Sequence, residues 1–179
     1  AANVGVPAGS SISVGSPSNL AGTMFVSSGA TYSGTGGGGV VQNSTTDAQL
    51  AQATVDAIAA SSTYGALTAT IGTTSISGNA TITGTSGQNV MNLTTFSPGN
   101  NNTVTINSPA GSTFVINVSS TFDVKHATIQ LSGGITAADV LWNVTGSGSL
   151  SMNGTAAFSG ILLIPNRTAK LNGGSVMTG

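Results

Sequence analysis

Charge is what this sequence has least of. Among its 179 residues are three lysines or arginines and four aspartates, and glutamate is absent. A soluble domain is typically about a quarter charged, so here Ser, Thr, Asn and Gly must cover the surface. The net charge of −1 supplies almost no field to attract phosphate groups or anionic lipid, which argues against nucleic-acid and membrane-surface partners. It also leaves little repulsion between copies, which favours self-association.

Cysteine is absent as well, so no disulfide framework holds the chain together. The longest strongly apolar run, Ile161 to Pro165, is far too short to span a bilayer, and we expect no membrane insertion. One histidine and four scattered aspartates match no ligand spacing for zinc or calcium. We therefore predict neither a metal site nor a cofactor.

Catalytic side chains are equally scarce. A hydrolytic site needs a nucleophile, a base and a group that orients the base, and the one candidate cluster is Asp123, Lys125 and His126. On a strand, His126 shares a face with Phe122 and Val124, so it points away from Asp123. We predict that the protein is not an enzyme, and we expect an Asp123–Lys125 ion pair beside a partly buried His126.

What the chain does have is a repeated strand pattern. From Thr103 to Gly179, alternating apolar and hydroxyl or amide residues are followed by a glycine turn, at about one strand plus one turn per repeat. The turn residues agree, because Asn153-Gly154 and Asn172-Gly173 suit positive backbone φ. The pattern predicts strands over residues 103–107, 112–118, 121–126, 127–131, 140–144, 149–153, 159–165 and 168–172.

The first third of the chain is organised differently. Weak alternation predicts short strands over residues 1–45, with a glycine-rich link from Ser33 to Gly39. One helix is predicted over 46–63, with Thr46 as N-cap. Its narrow apolar stripe of Leu50, Val55 and Ile58 must lie on something larger, since such a helix is marginal alone. Period-two patterning resumes at residue 67, so we predict solenoid rungs over 67–179 and one domain over 1–179.

Many short strands at this spacing suit a sandwich, a barrel or a β-solenoid. Long tandem repeats, scarce charge and small polar outward positions favour the solenoid, in which like residues stack between rungs. Asn107, Asn117 and Asn143, at predicted strand ends, are either backbone-bonding corner residues or ordinary turn residues. The predicted fold is mostly β: an irregular β-solenoid with one long α-helix packed along it.

The chain resembles a known family over about two thirds of its length. The matching stretches, in order, are Ser61-Ser-Thr-Tyr-Gly-Ala-Leu67, Gly87-Gln-Asn-Val-Met-Asn-Leu93, residues 105–119, Ala138-Asp-Val-Leu-Trp-Asn-Val144 and Gly160-Ile-Leu-Leu-Ile-Pro-Asn166. They are similar to the choice-of-anchor A domain of bacterial surface proteins.

Members of that family are similar to secreted ice-binding proteins, which fold as an irregular β-solenoid with one long helix along it. The resemblance therefore implies that fold and an exported, surface-attached life, and it supplies no catalytic motif. Two departures weaken the expectation of attachment. Ile164-Pro-Asn-Arg-Thr168 replaces an alanine-rich segment, and no sorting signal follows Gly179, so a trimmed or free form is expected.

Three threonine pairs form a candidate surface array. Alternate residues on a strand lie about 6.8 Å apart and neighbouring rungs about 4.8 Å apart, so stacked pairs would give a flat grid of hydroxyls and methyls able to order water as in ice. A plain solvated face is the alternative interpretation. The six residues of the predicted array are Thr68, Thr70, Thr81, Thr83, Thr103 and Thr105.

The chain ends suggest self-assembly. A solenoid leaves backbone groups unpaired at its terminal rungs, and exposed edges invite another chain to pair. Residues 170–178 resemble a last strand without a cap, and the glycine-linked N-terminal strands are long enough to reach a neighbour. The predicted assembly edge consists of Lys170, Leu171, Val176 and Met177.

Together these observations predict an exported bacterial protein at the cell surface or outside the cell. It would act as a structural or adhesive module that binds itself or an extracellular surface, with head-to-tail filaments as one form of assembly. The alternative function is an ice-binding, antifreeze-type protein that uses a threonine-rich solenoid face. The partner, oligomeric state and host do not follow from the sequence.

Overall fold

The computed structural model describes residues 4–14, 24–34, 40–41, 44–146, 149–165, 168–174 and 176–178. Within them the chain forms a β-solenoid with one long α-helix, as predicted. The named strands pair in parallel throughout, as they must when a chain winds in one sense around one axis. In chain order the strands are β1 (Val4–Val6), β2 (Ser11–Val14), β3 (Met24–Val26), β4 (Thr31–Gly34), β5 (Val40–Val41), β6 (Ser75–Ile76), β7 (Ala80–Thr83), β8 (Gln88–Phe96), β9 (Thr103–Asn107), β10 (Thr113–Lys125), β11 (Thr128–Ser132), β12 (Val140–Val144), β13 (Ser149–Asn153), β14 (Ala157–Ser159), β15 (Ile161–Leu163), β16 (Thr168–Leu171) and β17 (Val176–Thr178).

Several predicted strands have the observed bounds, namely β9, β12 and β13. The two strands predicted over 112–118 and 121–126 are one strand, β10, whose register shifts between Val118 and Thr121. The strand predicted over 159–165 is divided at Gly160, which has a φ of 131° and ends β14 before β15 begins. The period-two stretch from Leu67 to Ile71 is not a strand, because there only Ile71 pairs, in an isolated bridge to Met91.

The helix α1 runs from Ser44 to Gly65, two residues longer at each end than predicted. The predicted apolar stripe holds at Leu50, which is half-buried, and is wrong at Val55 and Ile58, which are 60% and 43% exposed. Towards the end of the helix the better-buried positions are Thr54, Ala57, Ser61 and Tyr64, so the helix turns mainly small and polar residues inward there. Small side chains let a helix lie close to a sheet, and Ser61 provides a hydrogen bond that Val55 cannot.

Three sheets make the sides of the solenoid. One has five strands in the order β17-β14-β11-β9-β7, and another has β1, β3 and β5. The largest sheet has nine strands and bends at the register shift of β10, so β10 belongs to two sides. Its first part pairs with β12 and with residues 88–93, and its second part pairs with β13.

The interior of the main stack is apolar and rich in aromatic rings. The rings of Phe96, Phe122, Trp142 and Phe158 come from three successive rungs, and those in contact lie 4.7 to 6.0 Å apart between centroids. All four are buried, and the indole Nε1–H of Trp142 donates to Ser159 O at 3.1 Å. The alternating apolar positions read from the sequence are the ones that form this core.

The order of stacking is not the order of the chain. β2 pairs with β16, and β4 pairs with β2, so the N-terminal strands lie on top of the C-terminal rung. The helix then carries the chain back along the stack to the opposite end, where β6 and β7 begin the winding. The lengths agree, because 22 helical residues span about 33 Å and seven stacked strands span about 29 Å.

Candidate functional site: the outward faces of the solenoid

The outward side chains distinguish one side of the solenoid from the other two. We call the outward side of residues 88–93 and 113–118, together with β12, the covered face, because α1 and the segment that follows it pack there. Val90 and Val115 point outward here yet are only 3% and 4% exposed. On the next strand, β15, the outward Ile161 is 47% exposed, so the cover does not extend over that residue.

A ladder of three asparagines runs across the covered face. The Nδ2 group of Asn143 donates to Asn117 Oδ1, and that of Asn117 donates to Asn92 Oδ1, both at 2.8 Å. The same amides also reach the end of the helix: Asn143 donates to Ser61 O at 2.9 Å and Asn117 to Tyr64 O at 2.9 Å. The ladder thus ties the last helical turns to the sheet, and it gives Tyr64 O a second donor beside the Leu67 N–H, which lies 3.2 Å away.

The two interpretations left open for the asparagines are therefore both incomplete. Asn117 and Asn143 lie near strand ends, as predicted, but they are buried and bond the helix and each other. A sequence signal was present, because Asn92, Asn117 and Asn143 are separated by 25 and 26 residues, the length of one rung. Equal spacing of one residue type at the length of a rung predicts a ladder.

The other end of the helix is held by a carboxylate. Asp47 accepts hydrogen bonds from the Ser28 hydroxyl at 2.6 Å, from the Ser28 N–H at 2.8 Å and from the Ser27 hydroxyl at 3.0 Å. These donors, those of Ser28 most strongly, lower the pKa of the Asp47 carboxyl below its ordinary value. Asp47 therefore joins the first turn of α1 to the turn between β3 and β4.

Four of the six predicted array residues do share a face. We call the outward side of the five-stranded sheet the threonine face. Thr81 on β7 pairs with Thr105 on β9, and Gln130 on β11 continues that row, donating to the Thr105 hydroxyl at 2.9 Å. Thr103 pairs with Thr128, and Thr83 with Asn107, so rows of hydroxyls and amides lie side by side.

Thr68 and Thr70 are outside that array, and the structure corrects their assignment. Both lie in the segment between α1 and β6, which is not a strand, and therefore have no place on the threonine face. Thr70 has another role, because its hydroxyl oxygen accepts from the Val90 N–H at 2.9 Å. It satisfies a backbone donor at the edge of β8.

The threonine face carries one shallow, open depression of about 450 Å³, lined by Asn79, Ala80, Thr81, Thr103, Thr105 and Gln130. Ala80 packs against the core, so the outward rim of the depression is formed by hydroxyl and amide side chains.

A longer row of hydroxyl residues lies on the remaining side, which we call the hydroxyl face. It is the outward side of β6, residues 95–96 and 121–125, β13, β16, β2 and β4. Ser75 pairs with Thr95 and Thr95 with Thr121, Ser149 pairs with Thr168, and Ser11 pairs with Thr31. Asp123 pairs with Ser151, so Thr121 and Ser149, two residues earlier on each strand, lie side by side. Leu171 pairs with Val14, so Thr168 and Ser11, three residues earlier on each strand, also lie side by side. The pairs therefore form one column.

We call this column the hydroxyl row: Ser75, Thr95, Thr121, Ser149, Thr168, Ser11 and Thr31. Seven successive positions hold serine or threonine and none is charged. Ser75, Thr121, Ser11 and Thr31 are exposed. No local pattern in the sequence indicates the row, because it depends on the N-terminal strands stacking upon the C-terminal rung.

The column next to the hydroxyl row carries charge. Asp123 pairs with Ser151 and Ser151 with Lys170, and the predicted ion pair is present, with Lys125 Nζ 2.9 Å from Asp123 Oδ2. His126 is exposed, which corrects the expected partial burial. With a φ of 47° it has already left the strand and turns the corner against Gly154.

The predicted assembly edge is divided by the structure. Lys170 and Leu171 lie on β16 between β13 and β2, so the expectation that they form an open edge is corrected. Val176 and Met177 lie on β17, the end strand of the five-stranded sheet as described. The glycine-rich link falls mostly at residues 35–39, outside the described residues.

The described part of the chain offers no group of three or more His, Cys, Asp or Glu side chains able to hold a metal ion. None of its helices has the length and hydropathy to cross a bilayer.

Asp139 accepts hydrogen bonds from the hydroxyl and the N–H of Thr136, and these bonds lower the pKa of its carboxyl. That carboxylate caps a single 3₁₀ turn, Ala137–Asp139, ahead of β12.

Comparison with known proteins agrees with this architecture. A family model described as "Putative Ice-binding-like adhesive domain" matches residues 1–179, so the chain belongs to that family. No curated protein matches the chain. The resemblance to the choice-of-anchor A domain remains a prediction, while the adhesive and ice-binding-like family indicates a protein that is not an enzyme.

Three solved structures of similar fold are described as ice-binding proteins. One, from an Antarctic biological consortium, is 22% identical with a TM-score of 0.66, covering 98% of this chain and 85% of that one. Another, from an Arctic yeast and described for its antifreeze activity, is 18% identical with a TM-score of 0.65, covering 97% and 81%. A third, from the Antarctic ascomycete Antarctomyces psychrotrophicus, is 18% identical with a TM-score of 0.55, covering 98% and 89%.

Proposed function

We propose that this protein is an extracellular adhesive module that holds a neutral, hydroxylated solid surface against its hydroxyl face. The hydroxyl row carries the proposal. Seven successive serine or threonine positions, about 4.8 Å apart, extend over about 29 Å of stacked backbone, and Ser75, Thr121, Ser11 and Thr31 among them are exposed donors and acceptors. A partner with its own periodic hydroxyl groups would meet several of them at once.

The chemistry of the row favours a neutral partner. A hydroxyl both donates and accepts, so it matches another hydroxyl in either orientation, whereas the net charge of −1 offers little to an ionic surface. Each contact alone is weak, because it replaces a hydrogen bond to water. Attachment then depends on many contacts made together, as expected of a rigid adhesive.

Ice is the second candidate for the partner. The regular spacing of the row favours it, as does the small size of serine and threonine, which lets ordered water lie close to the sheet. The ice-binding proteins of similar fold support the same candidate. Ice and a crystalline polysaccharide share the chemistry that the row recognises, so experiment must separate them.

The test compares two bulky substitutions on different faces. Thr121→Tyr breaks the middle of the hydroxyl row, and Thr81→Tyr is its matched control on the threonine face. Both sites are exposed strand threonines, so neither change should unfold the protein. Partition into polycrystalline ice, thermal hysteresis and sedimentation with microcrystalline cellulose would each be measured.

We expect Thr121→Tyr to reduce binding to the true partner by about tenfold, the effect of losing roughly 1.4 kcal/mol, with Thr81→Tyr close to wild type. Loss in the ice assays alone assigns ice, and loss with cellulose alone assigns the polysaccharide. If Thr81→Tyr loses binding and Thr121→Tyr keeps it, the threonine face carries the function and the hydroxyl row does not.

We further propose that copies associate with one another. The near absence of charge supports this, as do the end strands, which contain neither lysine nor proline to block pairing: β7 at one end and β4 at the other. Light scattering over a concentration series measures the association. A single monomeric mass at every concentration would contradict it.

A further inference from the structure

The solenoid has an open backbone edge at β7, the last strand of the five-stranded sheet. Within the described residues β7 pairs only with β9, and next to it the Gly84 N–H donates to Asn107 O at 2.9 Å. Because successive residues of a strand turn their backbone groups to opposite sides, Ile82 and Gly84 face β9. The N–H and C=O groups of Thr81 and Thr83 therefore point off the end of the stack.

The usual protections of an edge strand are missing at this end. Proteins block exposed edges with lysine, proline, a bulge or a covering segment. Here the sequence has no charged residue between Asp56 and Asp123 and no proline between Pro17 and Pro98. The register of β7 with β9 runs over four residues without a bulge, and Thr81 and Thr83 are exposed. The edge is thus free to pair with a further strand.

What this end offers a partner is backbone rather than apolar surface. Ile76 and Ile82, the inward residues of β6 and β7, are already 4% and 5% exposed and belong to the main core. A partner would therefore be held by main-chain hydrogen bonds, as when an extended strand adds to the edge of a sheet. The four residues of β7 limit the contact, so we expect the pairing to be reversible.

A second copy of β7 matches this edge when it lies antiparallel to the first. Thr81 then stands opposite Thr83 of the second copy, and Thr83 opposite its Thr81, and each such pair exchanges two backbone hydrogen bonds. Opposite residues in an antiparallel pair share a face, so the threonines meet on the outside, where such pairs are favourable. The two Ile82 side chains meet on the inside. All outward-pointing backbone groups of Thr81 and Thr83 thus find partners.

The opposite end of the stack suits such a contact less well. Asp47 bonds the turn between β3 and β4 there, and β4 is the last strand of the nine-stranded sheet as described. Burying that carboxylate against another copy would cost hydration free energy, whereas the β7 end has no charge to bury. A contact between two like ends closes after two copies.

We propose that two copies join end to end through β7, strand beside antiparallel strand, about a two-fold axis at Ile82. The two five-stranded sheets then form one continuous sheet, and the assembly is a closed dimer rather than the head-to-tail filament expected from the sequence. This deepens the self-association part of the proposed function and rests on it, and it does not depend on what the hydroxyl row binds.

Because the chain has no cysteine, the register can be tested by cross-linking. Thr81→Cys and ¹⁵N-labelled Thr83→Cys would be prepared separately, mixed in equal amounts, oxidised and analysed by mass spectrometry. In the proposed pairing, positions 81 and 83 of different copies have Cα atoms about 5.5 Å apart, which a disulfide can span. Like positions lie about 7–8 Å apart, beyond its usual range.

Disulfides that join the two variants should be at least about fivefold more frequent than those that join like variants, whereas random collision gives equal numbers. Thr103→Cys mixed with Thr105→Cys is the matched control, because these threonines have the same spacing on the same face but lie on β9, one strand in from the edge. The control should show no preference. Equal numbers in the β7 mixture, or an excess of like pairs, would overturn the proposed pairing.

A second test removes one outward donor. Thr81→Pro deletes an N–H that points away from β9, so the fold should tolerate it as edge strands tolerate proline. Thr81→Val is its control, because it keeps the N–H and the branched shape and removes only the hydroxyl. In sedimentation from about 1 μM to about 1 mM, Thr81→Pro should associate at least about tenfold more weakly than wild type and Thr81→Val about equally.

The outcomes separate this inference from the proposed function. Wild-type association that Thr81→Pro does not weaken would overturn pairing through β7 and leave self-association standing, whereas a wild type that stays monomeric contradicts both. Urea denaturation checks that Thr81→Pro is folded, and if it is not, the cross-linking result decides. Binding of Thr81→Pro to ice and to cellulose tests the hydroxyl row separately and should equal that of wild type.

Discussion

Strand β10 crosses two sides of the solenoid, and its two halves differ in what they show to the outside. In the first half, after the exposed Thr113 that begins the strand, the outward residues are Val115 and Asn117; both are buried, and Asn117 donates to Tyr64 O of the helix. In the second half they include Thr121, which is exposed to solvent. The inward residues of both halves are large and apolar. The inward residues are thus set by the needs of the folded core. The outward residues differ according to whether another part of the chain covers that side or leaves it open to solvent and to a partner.

The largest loss of stability should come from replacing a residue that points into the core, because the core supports every side of the solenoid. Trp142→Ala removes a buried indole whose ring centroid lies 4.7 Å from that of Phe96 and 5.3 Å from that of Phe158. It also removes the hydrogen bond from the indole N–H to Ser159 O. We expect the free energy of unfolding, measured by urea denaturation, to fall by about 3–5 kcal/mol. A loss as small as that of an exposed Thr→Ala change would show that the rungs do not depend on this aromatic stack.

A pair of substitutions on β10 tests the comparison itself. Asn117→Ala removes the hydrogen bonds that Asn117 donates to Tyr64 O and Asn92 Oδ1 and the one it accepts from Asn143 Nδ2, and should cost about 3 kcal/mol. Thr121→Ala, four residues along the same strand, should change stability by less than about 0.5 kcal/mol. Equal losses at the two positions would mean that the helix does not protect the covered face.

The same contrast explains how far the sequence alone could go. Alternation and glycine turns are local, so β9, β12 and β13 could be bounded to the residue. The hydroxyl row needs β2 to pair with β16, far away in the chain, and no local pattern determines that order. The inward side of α1 does not follow from the sequence for a related reason. The Ser61 hydroxyl faces the sheet and donates to Asn143 Oδ1, and Asn143 is 82 residues away in the chain.

An acid titration tests how the carboxylate of Asp47, at the first turn of the helix, contributes to stability. The folded pKa of Asp47 is lowered by hydrogen bonds from Ser28 and Ser27, so its contribution to stability is present above the unfolded pKa and is lost as pH falls through the folded value. Subtracting the stability of Asp47→Asn from that of wild type should give a constant difference near neutral pH that shrinks below the ordinary carboxyl value of 3.8. Asp139, which is also lowered, is present in both proteins and cancels. A difference that does not vary with pH would contradict the role of the Asp47 charge.

The smallest effect on stability is expected from replacing Lys125, the last residue of β10. Its ion pair with Asp123 is short, at 2.9 Å, but the lysine side chain is 52% exposed, and water and salt screen such pairs. Lys125→Ala should therefore change the free energy of unfolding by less than about 0.5 kcal/mol, and the change should vanish in about 1 M salt, where the screening length is about 3 Å. A larger loss that persists in salt would mean that the Asp123 carboxylate, one oxygen of which is buried without a hydrogen-bond partner among the described residues, needs its cation for folding. The hydroxyl face would then hold a structural charge as well as the neutral row, and the division between folding on the inside and binding on the outside would fail at this position.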